Sequence, residues 1–263
     1  MTADHPSRDI GAVLDTMQDR LDGFPPERAA QKLFLQTYQR TTAAVGAAID
    51  AAQFEDPGWV ERWDVVFADL YLSALDLDLA GSDAVPRPWR LAFDAPPDLP
   101  ALRHVLLGIN AHINYDLPQA LLGVISDVEF TDPTLIDRRR RDHERIDGVL
   151  SGRVAAEDDE LALTSSRTLV DRVLQPLNHL SSKRFLREAR QKVWHNTREL
   201  QSARLQGHEA YAARLAELEV LSAARIADLL APGQVLLRLA VAGFGVVLPP
   251  PLGSGSAVSL STS

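Results

Sequence analysis

The feature that most constrains this chain is an apolar period of helical spacing that persists from about Leu14 to Leu230, interrupted only by proline and glycine punctuation. Strand-like alternation never lasts more than a few residues, and no internal repeat appears. Phe24-Pro25-Pro26-Glu27 closes a first helix running through Leu14 and Leu21, and a second is predicted from about Arg28 to Ala52. Asp56-Pro57 reads as an N-cap followed by proline at the first helical position, opening a helix to about Leu79. That helix carries Trp59, Trp63, Val66, Phe67, Leu70 and Tyr71, so it is predicted to be buried around most of its circumference. Residues 81–100 hold five prolines with Trp89 and Phe93, which predicts an ordered loop or lid rather than a solvated tether. Further helices are predicted at 101–124, from Pro133 to Leu150, and near Leu161–Leu180, Ser182–Leu205 and Glu209–Leu230. An acidic turn is expected around Glu157-Asp158-Asp159-Glu160. The reading is all-α: a single helical domain over residues 1–248, with seven to eight helices and a tail at 249–263 predicted to be disordered.

Several classes are excluded. With no cysteine, the 263-residue chain has no disulfides, no thiolate metal ligands and no thiol nucleophile. The 27 basic and 36 acidic residues give a formal charge of -9, which repels a phosphate backbone and argues against a nucleic-acid partner. The longest apolar stretch, Val235 to Leu248, carries Arg238 and is shorter than the roughly 20 residues a bilayer span needs. Its cover is expected to come from the same chain or a homodimer partner. The N-terminus lacks a secretory signal pattern, so a cytoplasmic protein is expected. Walker A, Gly-x-Gly-x-x-Gly and Gly-x-Ser-x-Gly sequences are absent.

Chemistry concentrates in Gly108-Ile109-Asn110-Ala111-His112-Ile113-Asn114-Tyr115-Asp116-Leu117-Pro118. At about 100° per residue, Leu106, Ile109, Ile113, Leu117 and Leu121 form an apolar arc, with His112 and Asp116 about 40° apart on one shoulder. Asn110 and Asn114 fall at the other edge of that arc. Four polar side chains bordering so apolar a face need partners, and Pro118 favours a kink or break within the same segment. His112 and Asp116 are therefore candidates for an acid–base pair or for two ligands of one metal ion, with Asn110 or Asn114 orienting a carbonyl. The alternative is a buried hydrogen bond that joins two helices.

A second set, Glu188, His195 and Glu199, lies on one helical stripe. His112, Asp116, His195 and Glu199 together offer two imidazoles and two carboxylates, a set suited to one zinc, manganese or iron ion. Glu188 with Lys192 is equally an ordinary surface pair. His104 is a further ligand candidate, and His179 sits near a helix end where a cation is favourable. His143 lies beside Arg138-Arg139-Arg140-Arg141, whose arginines are expected to be mostly solvated, with a phosphate site the sharper alternative. Asp64 and Asp69, on the tryptophan-rich helix, are read as a metal ligand, a base, or rim residues.

The Gly108–Pro118 run resembles the hallmark of an uncharacterised bacterial family frequent in actinobacteria, supported by Asp64-Val65-Val66-Phe67 through Tyr71 and by Pro88-Trp89-Arg90 with Phe93. The likeness spans most of residues 10 to 230 and implies no established activity. More remotely, His112-x3-Asp116-x-Pro118-Gln119 is similar to a helix of the zinc-dependent phospholipases C and single-strand nucleases, and His195-x3-Glu199 to a later one. That resemblance implies zinc-activated water attacking a phosphate ester. The N-terminal tryptophan ligand and the histidine expected shortly after Asp116 are absent, which leaves room for at most one metal. Two functions follow for a small-molecule substrate. One is a metal-dependent hydrolase of an ester or phosphoester. The other is a metal-free cyclase, isomerase or apolar-ligand binder of specialised metabolism.

Overall fold

The computed structural model describes residues 9–99, 101–161 and 180–231. All regular structure there is helical: α1 Ile10–Asp22, α2 Ala29–Asp50, α3 Pro57–Leu79, α4 Arg87–Phe93, α5 Ala101–Ala111, α6 Leu117–Val124, α7 Asp127–Thr131, α8 Pro133–Leu161, α9 Leu180–Gln206 and α10 His208–Leu230. The expected helix at 162–179, His179, the apolar segment 235–248 and the tail lie outside the described residues. Among the described residues, no helix is long and apolar enough to cross a membrane.

Local chemistry explains the helix starts. Asp9 accepts the Ala12 N–H at 2.8 Å, and Asp56 accepts the Trp59 N–H at 3.1 Å, each relieving a donor the first turn leaves orphaned. A single 3-10 turn, Pro26–Arg28, bridges the double proline into α2. Gly207, at φ 123°, makes the turn between α9 and α10, a conformation that favours glycine.

Three elements depart from the sequence reading. The expected loop at 81–100 contains α4, with Pro88, Trp89, Ala92 and Phe93 buried; Pro86 caps it and Glu219 of α10 accepts the Arg87 N–H. The acidic turn at 157–160 is absent, because nothing from Arg153 to Leu161 breaks a helix and α8 continues through it. Ser126 and Glu129 form a capping box that starts α7 in what reads as a turn.

Among the described residues one main core joins most of the helices, and Tyr115, Leu122, Leu200 and Leu218 form a smaller second cluster. α1 contributes Ile10, Val13, Met17 and Leu21 from one face, and α3 is buried on most sides, as its composition predicts. Trp59, Tyr71 and Trp89 are fully buried. Val193 and Trp194 of α9 and Ile226 and Leu229 of α10 join the same cluster. α10 packs on α4 and α5, so it backs the segment that carries His112.

The arginine run of α8 is a structural tie rather than a phosphate site. Arg139 is only 7% exposed and bonds Asp56 at 2.6 Å and Glu129. Arg141 and Arg145 bond Glu55. Asp142, fully buried, accepts the N–H groups of Glu55 and Asp56 at 2.7 and 2.9 Å, which fixes the start of α3 against α8. His143 is buried and accepts the Trp194 indole N–H at 3.0 Å. Opposing carboxylates take the guanidinium faces a phosphate would need.

Candidate active site

Between α5 and α6 the chain forms a π turn, His112–Asp116, in which the Leu117 N–H bonds the His112 carbonyl five residues back. Pro118 occupies the second position of α6, where a missing N–H is tolerated. The predicted break is therefore a widened turn, a feature that often marks functional sites. Side-chain amides bond the carbonyls around it. Asn110 donates to Leu106, Asn114 to the backbone and side chain of Asn110, and Gln119 to Tyr115.

The π turn places His112 and Asp116 in the middle of the buried face, not at its shoulder. Leu107, Gly108, Ala111, His112, Tyr115 and Asp116 are buried, whereas Leu106, Ile109 and Ile113 are half-buried. The small residues set this orientation by letting α2 approach. A Cβ on Gly108 would meet the Phe34 ring at 2.5–2.9 Å. Gly108→Ala is therefore expected to cost about 1–3 kcal/mol through overpacking, read as a lowered midpoint in thermal or urea unfolding. An unchanged midpoint would mean that Phe34 does not define the cage.

His112 is 4% and Asp116 2% exposed. His112 Nδ1 lies 2.8 Å from Asp116 Oδ2, and the indole N–H of Trp89 in α4 donates to the same oxygen at 2.8 Å. An indole N–H can only donate, so Oδ2 acts as acceptor. With the carboxyl ionised, the imidazole proton sits on Nδ1 and Nε2 keeps its lone pair. Burial holds His112 below the ordinary imidazole value, opposed by Asp116, and raises Asp116, opposed by its hydrogen bonds to His112 and Trp89.

An aromatic cage encloses the imidazole. Phe67 stacks on it at 3.5 Å and 5°, Tyr38 meets it edge-on at 4.6 Å, and Trp89, Tyr71 and Phe34 stand at 5.9, 6.0 and 6.4 Å between ring centres. His112 Nε2 and the Tyr38 and Tyr71 hydroxyls of this cage are buried without a hydrogen bond of regular geometry, as is Asp64 Oδ2, three residues before Phe67 on α3. Asp64 is 8% exposed, and burial pushes its carboxyl up to about 7. A crevice of about 10 Å³, lined by Gln31, Phe34, Trp89, Phe93, His104 and Gly108, runs along the outer side of Phe34 and Trp89. It is just large enough for a water molecule.

His112 and Asp116 meet, but the rest of the proposed ligand set does not join them. His195 and Glu199 are exposed because Val193, Trp194, Thr197 and Leu200 turn the opposite side of α9 inward. Among the described residues, no group of three or more His, Cys, Asp and Glu side chains converges as a metal ion would require. The donor set implied by the phospholipase resemblance therefore does not fit. Asn110 and Asn114 bond carbonyls of their own helix, which steadies the π turn rather than orienting a substrate carbonyl. His104 is buried at the crevice and, among the described residues, belongs to no group of three or more such side chains.

Sequence reasoning did not identify Phe34 or Tyr38 of α2. Their only signal is the i,i+4 spacing of Phe34, Tyr38 and Thr42, which is indistinguishable from ordinary core. Asp64 was visible as a carboxylate on an aromatic helix, but its burial depends on α2 and the π turn.

Comparison with known proteins gives one family model, described as a family of unknown function (DUF5995), matched over residues 10–232. No curated protein and no solved structure matches the chain.

Proposed function

From the membership of this chain in the family of unknown function DUF5995, whose signature we take to be the Gly108–Pro118 run, we propose a metal-independent acid–base enzyme acting on a small molecule with an apolar body. His112 is its general base. Asp116 and Trp89 hold the imidazole in one tautomer and one orientation. The observation that carries the reading is His112 Nε2, a buried lone-pair nitrogen with no partner inside an aromatic cage. A purely structural tie between helices would need only the Trp89–Asp116 bond. His112 and Asp116 belong to the same helical turn, so their bond joins no second element to the first. A buried unpaired acceptor is destabilising by about 1–3 kcal/mol, and such departures from local satisfaction belong to functional sites.

Isomerisation, or cyclisation started by proton removal, suits this arrangement better than hydrolysis. Among the described residues, no hydroxyl nucleophile is hydrogen-bonded to His112, and no carboxylates assemble a metal site to activate water. An apolar substrate would displace nothing strongly hydrated from the cage and would reach the imidazole past Phe34 and Trp89.

The test is ring opening of 5-nitrobenzisoxazole, a coloured reaction that needs only a base in an apolar site. Wild-type protein, verified metal-free by elemental analysis, is expected to show saturable ring opening. His112→Gln should lower its rate by about 10²–10⁴-fold, the usual contribution of a positioned base. Absence of saturable ring opening, or a His112→Gln variant as fast as wild type, overturns the proposal.

A further inference from the structure

Resting on the reading of His112 as base, we infer that Tyr38 and Asp64 form an oxyanion-stabilising pair opposite the imidazole, so that the substrate class is a small enolisable carbonyl compound. The inference starts from position. Asp64, Phe67 and Tyr71 are spaced along one face of α3, and Phe67 of that stripe stacks directly on His112. Tyr38 comes from α2 and packs against Phe67, Tyr71 and His112, with ring centres 6.1, 5.7 and 4.6 Å apart. Burial raises the Tyr38 phenol, the Asp64 and Asp116 charges raise it further, and the Thr42 hydroxyl beside it opposes the rise.

Both groups are equipped to donate. The Tyr38 hydroxyl, which has Thr42 beside it, and Asp64 Oδ2 are buried without a hydrogen bond of regular geometry, and each residue is more than nine-tenths removed from solvent. Desolvation is the cause acting on Asp64, and it favours the protonated acid. The titratable groups packed around this corner are Tyr38 of α2, Tyr71 of α3, the His112–Asp116 pair, and His143 of α8 beyond Trp63. Among the described residues, no lysine or arginine bonds Asp64 to draw off its proton. A phenol and a protonated carboxyl in an apolar site are donors suited to an enolate oxygen, because both lie where water cannot compete.

The step balances without a co-reactant. His112 Nε2 takes the proton from the carbon next to the carbonyl, and the C–H electron pair becomes the carbon–carbon double bond of the enolate. The carbonyl π pair moves to oxygen, which accepts hydrogen bonds from Tyr38 and Asp64 while both keep their protons. The imidazolium then returns its proton to another carbon of the conjugated enolate. The product is an isomer of the same composition.

The test follows 3-cyclohexen-1-one to 2-cyclohexen-1-one, by absorbance of the conjugated product, beside ring opening of 5-nitrobenzisoxazole, which develops no carbonyl oxyanion. Tyr38→Phe and Asp64→Leu are each expected to lower isomerisation by about 10²–10³-fold, at least tenfold more than they lower ring opening. Asp64→Asn keeps an N–H donor and should restore most of the rate. It should also remove the fall in rate expected of wild type above pH about 7, where Asp64 loses its proton. Ring opening that depends on His112, with no isomerisation or with both reactions lowered equally by Tyr38→Phe and Asp64→Leu, overturns this inference and leaves the base intact. Loss of His112-dependent ring opening itself overturns both.

Discussion

Asp116→Ala is expected to lower folding stability by about 3–5 kcal/mol, the range for removing one member of a buried hydrogen-bonded polar pair. The carboxylate is 2% exposed and receives two donors at 2.8 Å, one from Trp89 and one from His112. Alanine leaves both N–H groups buried without an acceptor and opens a small void beneath the indole. Asp116→Asn retains volume and one acceptor oxygen, so a smaller loss of about 1–3 kcal/mol is expected, from whichever donor it fails to satisfy. Urea unfolding at neutral pH measures both. A loss below about 1 kcal/mol for the alanine variant would show that the Trp89–Asp116–His112 chain does not hold α4 to the π turn. The same variants should misorient His112, so base-dependent ring opening should fall even in the fraction that remains folded.

Wild-type stability relative to Asp64→Asn is expected to fall by about 4 kcal/mol as pH rises from about 3 to about 8, and to level off above that. The sign follows from linkage. Burial pushes the folded-state Asp64 carboxyl up to about 7, while an unfolded aspartate titrates near about 3.9. The folded state therefore binds the proton more tightly. Its stabilisation is complete below the unfolded value and disappears as pH climbs through the folded one. A difference of about three pH units, at about 1.4 kcal/mol each, gives the magnitude. Asparagine cannot ionise, so the difference between the two urea-unfolding series isolates this group from every other carboxylate. Parallel series from pH 4 to 8 would mean that Asp64 ionises freely in the fold, and the oxyanion pair would then lose its acid.

Much of this architecture is legible one helix at a time. Asp56-Pro57 is both cap and first turn in the structure, as the residues themselves require, because an aspartate oxygen and a proline ring act on neighbours within four positions. Pro118 after a run of apolar and amide side chains marks a disturbed helix, and the disturbance is there as the π turn. Local reading fails where two faces of one helix compete. His195 and Glu199 share a stripe, yet Trp194 and Leu200 bury more apolar area and rotate that stripe to solvent. Trp89 sits in a proline-rich stretch that reads as loop, and becomes helical because α10 and α5 cover it.

By itself, then, the sequence determined that this protein is all-helical, where most of its helices begin, and that His112 and Asp116 share one turn beside a proline. Those are consequences of backbone propensity, capping and periodicity, all of which act over a few residues. Tertiary structure alone decided that α2 brings Phe34 against Gly108 and Tyr38 against His112, that α3 stacks Phe67 on the imidazole and buries Asp64, and that α4 delivers an indole N–H to Asp116. These contacts join positions 27 to 74 residues apart. They depend on which faces exclude most water when every helix packs at once, a quantity no single helix carries.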